Sequence, residues 1–177
     1  GSVMWEFTDR DDPSMGNVIG RPQILKFRQS APGGTIVYRY YAVVASGVNN
    51  QLADGHASDG APVIFLLDLS KAGNEAWVLN TNYFKIEFPL ASDAMTIASG
   101  ISGFTARLGY ADEVSALYAG GLHGNLWKLD FSKVGADDWN MDDLSYFKND
   151  SGTVIPMYVA KDASGNRQPI SMDPTLI

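Results

Sequence analysis

The chain has 177 residues, 45% apolar and 19% charged, with 18 Gly, 8 Pro and no Cys, which fits one domain or a piece of a larger one and excludes a disordered or collagenous chain. Its 13 Lys and Arg against 20 Asp and Glu leave a net charge of -7, a field that repels phosphate backbones and anionic lipid and removes nucleic acid from the expected partners. Without Cys the chain holds no disulfide, thiolate metal site, Fe–S cluster or thiol nucleophile.

Gly1-Ser2 reads as a cloning remnant, and the residues after it lack the charged and apolar regions of a secretory leader, so this start does not set the compartment. No window approaches the roughly 18 consecutive apolar residues of a membrane helix, and membrane insertion is not expected. Runs rich in Val, Ile, Tyr, Phe and Trp alternate with Gly, Asn, Asp and Ser clusters, which predicts an all-β chain. In chain order, strands are predicted over residues 3–8, 23–28, 37–46, 63–69, 76–79, 84–88, 103–108, 114–119, 126–131 and 157–160, with a short helix near 136–146. The run Asp9-Arg10-Asp11-Asp12-Pro13 after the first strand reads as a solvated loop. Turn chemistry such as Ala31-Pro32-Gly33-Gly34 and Ser164-Gly165-Asn166 separates the rest.

The loop between the third and fourth predicted strands is the best candidate site by composition. It groups Asn49, Asn50, Asp54 and Asp59 with His56 between strands that hold it rigidly, and offers oxygens to a cation or a sugar. The competing reading is that Asn and Gly supply positive φ there and that the Asp side chains satisfy turn amides. His56 and His123 are the two histidines, without a partner at metal-ligand spacing, and His123 falls in a predicted tight turn. There is no G-x-S-x-G elbow, P-loop or dinucleotide fingerprint, so covalent catalysis has no support in the motifs.

The chain also resembles itself. Phe65-Leu66-Leu67-Asp68-Leu69-Ser70-Lys71-Ala72 returns as Trp127-Lys128-Leu129-Asp130-Phe131-Ser132-Lys133-Val134, and each copy precedes an acidic segment with a Trp, Glu75-Ala76-Trp77 and Asp138-Trp139. Upstream of each copy Ala45-Ser46-Gly47-Val48-Asn49-Asn50 aligns with Ala119-Gly120-Gly121-Leu122-His123-Gly124, small residues that suit crowded inner strands. Long repeats of four strands are the signature of propeller blades, and continuous apolar runs such as Val63-Ile64-Phe65-Leu66-Leu67 demand burial on both faces. The tryptophans therefore read as blade packing. About two to three such blades fit, against roughly four to eight in a closed ring, so residues 3–177 are expected to be a fragment of a partial, quinoprotein-like β-propeller with antiparallel four-stranded blades. Its uncovered apolar faces are expected to drive self-association.

Six blocks in order, Trp5-Glu6-Phe7-Thr8-Asp9, Gly20-Arg21-Pro22, Ser46-Gly47-Val48-Asn49-Asn50, Leu66-Leu67-Asp68, Tyr118 through Asp130 and Gly165-Asn166-Arg167-Gln168-Pro169-Ile170, resemble the C-terminal propeller of the PilY1/PilC type IV pilus tip proteins. The resemblance implies a modified β-propeller within a secreted protein of the bacterial cell surface, pilus tip, outer membrane or periplasm. It implies a noncatalytic role that supports pilus assembly, opposes retraction and contributes to surface attachment and twitching motility. The implied partners are pilus subunits or minor pilins and a host or abiotic surface. The family also carries a calcium loop of the form D-x-D-x-[DN]-G-x-x-D, whose ligand positions fall here on Arg107, Gly109, Ala111 and Ser115, none of them a carboxylate. Calcium is therefore not expected at this loop, and no other cofactor is. Two other functions compete: a quinoprotein-like dehydrogenase fragment, suggested by the blades and the Trp content, and a carbohydrate-binding propeller.

Overall fold

The computed structural model describes residues 3–48, 50, 60–90 and 99–176. Among them eight strands form two four-stranded antiparallel sheets, which do not close into a ring. The first sheet runs in order through β1 (Gln23–Arg28), β2 (Tyr38–Ala45), β3 (Val63–Asp68) and β4 (Tyr83–Glu87). The second runs through β5 (Ile101–Leu108), β6 (Val114–Gly121), β7 (Asn125–Asp130) and β8 (Tyr158–Val159). Each is a meander in which consecutive strands pair, so the all-β architecture and the antiparallel four-stranded units are as expected from the sequence.

The continuous apolar run in β3 is explained by its two covers. Ile64 and Leu66 face the second sheet and join Phe27, Tyr41, Phe84, Phe104, Leu117, Trp127 and Leu129 in one core. Val63, Phe65 and Leu67 face the other way, where Met15, Trp5 and Phe7 of the amino-terminal segment cover them. All six residues of β3 are buried as a result.

Two predicted strands are not strands, and each has a physical reason. Residues 3–8 join no ladder. Their alternation is real, but Trp5 and Phe7 are used as packing knobs: Trp5 stands edge-on to Trp77 at 4.9 Å, and Phe7 meets Phe65, Trp77 and Tyr83 at 5.2, 5.2 and 5.1 Å. Residues 76–79 form no strand because the side chain of Asn82 takes their backbone groups, accepting from Val78 N at 2.8 Å and donating to Ala76 O at 2.9 Å. The helix predicted near 136–146 is divided into a 3-10 turn, Ala136–Asp138, and a single α-helical turn, α1 (Met141–Leu144). Asn140 is extended between them and caps α1 by accepting from Asp143 N at 3.0 Å.

The Asp9 to Pro13 run is solvated only in part: Arg10, Asp11 and Pro13 are exposed, while Asp9 and Asp12 are buried. Asp12 is 3% exposed and accepts from Ser14 N at 2.9 Å and from the Tyr83 hydroxyl at 3.1 Å, with the Lys85 ammonium 3.4 Å away. Burial, then the Asp12 charge, push the Tyr83 hydroxyl well above its ordinary value, which keeps it a donor. Asp12 thus fastens the amino-terminal segment to β4, because a buried carboxylate survives only when it is paired.

The internal repeat lands on equivalent places. Its two copies form β3 and β7, the third strand of each sheet, and end in the same side-chain turn: Asp68 accepts from Ser70 N and Oγ at 2.8 and 2.7 Å, Asp130 from Ser132 N and Oγ at 2.9 and 2.5 Å. The small-residue segments close the second strands, β2 and β6, each of which lies between two neighbours in its sheet. There the register opposes Val44 to Phe65 and Ala119 to Trp127, so the structural match is Val44 with Ala119, one residue out of step with the alignment of Ala45 and Ala119. The two tryptophans also occupy matching faces. Trp77 lies on the face of the first sheet that the amino-terminal segment covers, and Trp139 on the face of the second sheet that the first sheet covers.

Candidate functional site

Asn49, Asp54 and Asp59, three of the four candidate ligands, lie outside the described residues, as does His56. Asn50 is described and fully buried. Its Nδ2 donates to Ala61 O at 2.5 Å and its Oδ1 accepts from Ser99 Oγ at 3.4 Å. The side-chain amide therefore ties the two ends of that loop to the start of the second sheet, a structural use of the residue. His123 is 3% exposed in the turn between β6 and β7, where Arg167 donates to its carbonyl at 2.9 Å and to Asn125 Oδ1 at 2.7 Å.

The hairpin between β5 and β6 carries the positions equivalent to the calcium loop, and its donor set does not fit the ion. The Arg107 guanidinium donates through Nε to Ser115 Oγ at 3.1 Å, while Ser115 Oγ donates to Arg107 O at 3.0 Å. Ala111 N donates to the Glu113 carboxylate at 2.8 Å, and Gly109 N donates to Glu113 O at 2.6 Å. Calcium wants six to eight hard oxygens, and a guanidinium in the loop supplies a like charge instead. Among the described residues no three of His, Asp and Glu come together as a metal-binding group.

Two concavities were not foreseen from the sequence. The first, about 500 Å³, lies between the amino-terminal segment and the first sheet and is lined by Trp5, Phe7, Met15, Val18, Ala42 and Val44. The second, about 590 Å³, is a polar cleft at the Asp68 turn, lined by Arg39, Asp68, Ser70, Lys71, Glu75 and Asn82. Its charges are paired within the chain: Arg39 donates to Asp68 Oδ2 at 2.7 Å, and Lys71 donates to Ala72 O and sits 4.4 Å over the Trp77 ring. An Asp two residues before a Ser at a strand end was the available signal for the turn; nothing in the spacing identified Arg39 as its partner.

Burial would raise the Asp68 carboxyl, but the Ser70 hydroxyl and amide and the Arg39 guanidinium outweigh it and hold it below the usual range. Asp130 is lowered in the same manner, against its own burial, by Ser132 and by Lys133 and Lys128. A folded value below the unfolded one means that each carboxylate adds stability in full above about pH 4, and that the contribution drains away as pH falls through the folded value. The expected result is that wild type exceeds Asp68→Asn in melting temperature at pH 6 and that the gap narrows steadily below about pH 4. A gap constant from pH 6 to pH 2 in thermal melts followed by circular dichroism would show that the charge of Asp68 contributes nothing.

The lead-in to β1 and the carboxy-terminal segment flank β5 in the same direction. On one side Gly20 abuts the Ser102 carbonyl and the Gln23 side-chain amide donates to Phe104 O at 3.1 Å. On the other, Ser102 Oγ donates to Ile170 O and Thr105 Oγ1 donates to Pro174 O. The lead-in to β1, then β5, then residues 170–174 are thus stacked in parallel, and Gly103 and Gly120 leave the room that Asp173 and Ile170 fill.

No family model matches the chain. It is 27% identical, over 96% of its length, to the type IV pilus biogenesis factor PilY1 homolog of Xylella fastidiosa, of which it spans 10%. Its fold matches the solved structure of the Pseudomonas aeruginosa PilY1 C-terminal domain with a TM-score of 0.63 at 20% identity, over 98% of this chain and 32% of that one. The resemblance to PilY1-type proteins read from the ordered blocks is borne out along nearly the whole chain, and the chain spans about a tenth of the curated relative.

Proposed function

We propose that this chain is a two-sheet segment of a larger modified β-propeller, serving as a noncatalytic module of a type IV pilus biogenesis and tip adhesin protein at the bacterial cell surface. In that role the parent supports pilus assembly, opposes retraction and takes part in attachment and twitching motility, with pilus subunits or minor pilins and the contacted surface as partners. The observation that carries the reading is the similarity to PilY1-type proteins in sequence and in fold. The parallel stacking of residues 20–23 and 170–174 on the two faces of β5 supports the propeller geometry, since such stacking is how successive blades meet around an axis. Large apolar side chains still exposed, Ile24 and Tyr40 on the first sheet and Tyr158 on the second, are the surfaces on which neighbouring sheets or further copies pack.

The test is an in-frame deletion of this segment from the parent gene. Surface pili and twitching zones are expected to fall to the level of the whole-gene deletion, and secretion of the truncated parent is followed by immunoblot. Full piliation, twitching and attachment with the truncated parent present at its normal level would overturn the reading.

A further inference from the structure

The hairpin between β5 and β6 uses every one of its four would-be ligand positions for something else. Position 107 is a guanidinium hydrogen-bonded across the hairpin to position 115, which is the 9% exposed Ser115. Position 109 is a glycine over which the Glu113 carboxylate lies: a Cβ there would come within 2.8 Å of Glu113 Cδ and would push that side chain aside. Position 111 contributes its amide to that same carboxylate at 2.8 Å. Asp112 holds φ at 58°, the left-handed bend that a glycine supplies in the D-x-D-x-[DN]-G pattern, so the turn survives while its ligands have gone.

The hairpin also has a task beyond itself. Glu113 makes a parallel bridge to Lys26 of β1, so the tip of the second sheet is one of the places where the two sheets touch. Whatever fixes the hairpin also fixes this contact.

We propose that this hairpin is a cation-free brace, in which Arg107, Ser115 and Glu113 make from within the chain the cross-links that a bound divalent ion supplies in a carboxylate-lined loop. Arg107 spans the two strands as the ion would, and its fixed positive charge stands in for the ion's. Glu113 closes the tip by holding the Ala111 amide. The order of this hairpin is consequently independent of calcium, and this property belongs to the chain whether or not its parent acts at pili.

The experiment measures melting temperature of the 177-residue chain in millimolar calcium chloride and in millimolar EGTA, with calorimetric titration of calcium alone as the binding readout. Wild type is expected to melt at the same temperature in both buffers and to give no binding heat. Arg107→Ala is expected to melt about 2–4 °C lower in both, the shift that one lost hydrogen bond of about 1 kcal/mol gives in a chain of this size. Ser115→Ala, which also removes the hydroxyl's bond to the backbone carbonyl at 107, is expected to lose more, and the double variant to lose no more than Ser115→Ala, because both hydrogen bonds between the two residues run through Ser115 Oγ. Glu113→Gln, which keeps an acceptor for Ala111 N, is expected to lose less than Glu113→Ala. Saturable calcium binding by wild type, or a calcium-dependent rise in its melting temperature, would overturn the proposal. So would an Arg107→Ala variant that melts with wild type, or single losses at 107 and 115 that simply add.

Discussion

Replacing Trp139 with alanine is expected to lower the stability of the chain by about 3–5 kcal/mol, the usual cost of emptying a buried Trp or Phe site. Trp139 is 5% exposed and stands between the sheets, with ring centroids at 4.9 Å from Phe84, 5.3 Å from Phe27, 5.6 Å from Tyr41 and 5.9 Å from Phe131. Three of those rings come from the first sheet and one follows β7, so a single side chain joins both layers. The edge-on geometries add to the burial of the ring itself. Urea unfolding monitored by fluorescence and circular dichroism reads the effect as a lower midpoint at unchanged slope. With total stabilities of small domains at about 5–15 kcal/mol, the variant sits near the threshold of folding. A loss below about 1 kcal/mol, the range of surface changes, would mean that the aromatic cluster does not hold the sheets together.

The second large effect is expected at Gly100, just before β5. Its φ of 145° lies outside the range of L side chains, and a Cβ there would run into the Gly47 carbonyl at the end of β2. Gly47 N donates to Ile101 O at 3.0 Å and Leu122 N donates to Gly100 O at 3.0 Å, so backbone from both sheets meets at this point with no side chain between. Gly100→Ala combines backbone strain of about 1–3 kcal/mol with the cost of pushing packed main chain aside, again about 1–3 kcal/mol. The sum corresponds to a fall of at least several degrees in melting temperature. Gly33→Ala is the matched control: its φ is 89° but nothing lies within 4 Å of a Cβ there, so only the conformational cost of about 1–2 kcal/mol applies. Equal losses at the two positions would show that the contact with Gly47 is not what requires glycine.

How far residues alone lead to this structure differs from place to place. β1 has the predicted bounds, because Gln23 to Arg28 is β-rich and follows a Gly-Arg-Pro break. The repeated Asp-x-Ser turn was readable because side-chain and backbone chemistry are local there. The one-residue slip between the Ala45 and Ala119 segments was not, since Ala, Ser and Gly look alike in a string and only the ladder against Phe65 and Trp127 orders them. Residues 3–8 and 76–79 show the limit of alternation as a signal: it says which side chains share a side, and long-range partners such as Trp77 or a local amide such as Asn82 decide whether a ladder forms. Among the candidate ligands only Asn50 can be placed, and it serves the scaffold. At 107–115 the absence of carboxylates from positions 107, 109, 111 and 115 was plain in the letters; the hydrogen bonds that join Arg107 to Ser115 and Ala111 to Glu113 were visible only in the fold.

Because each sheet is wired as a meander, nearly all of its strand pairings join segments that are close in the chain. Low sequence separation keeps the entropy of closure small and speeds collapse. Each half is therefore able to organise early and by itself, whereas the joining of the halves, as between Phe27 and Trp139, spans a longer stretch of polypeptide and comes late. A ribosome releasing this chain amino end first would thus present an assembled first half, with its Trp139-accepting side still bare, for as long as the second half takes to emerge.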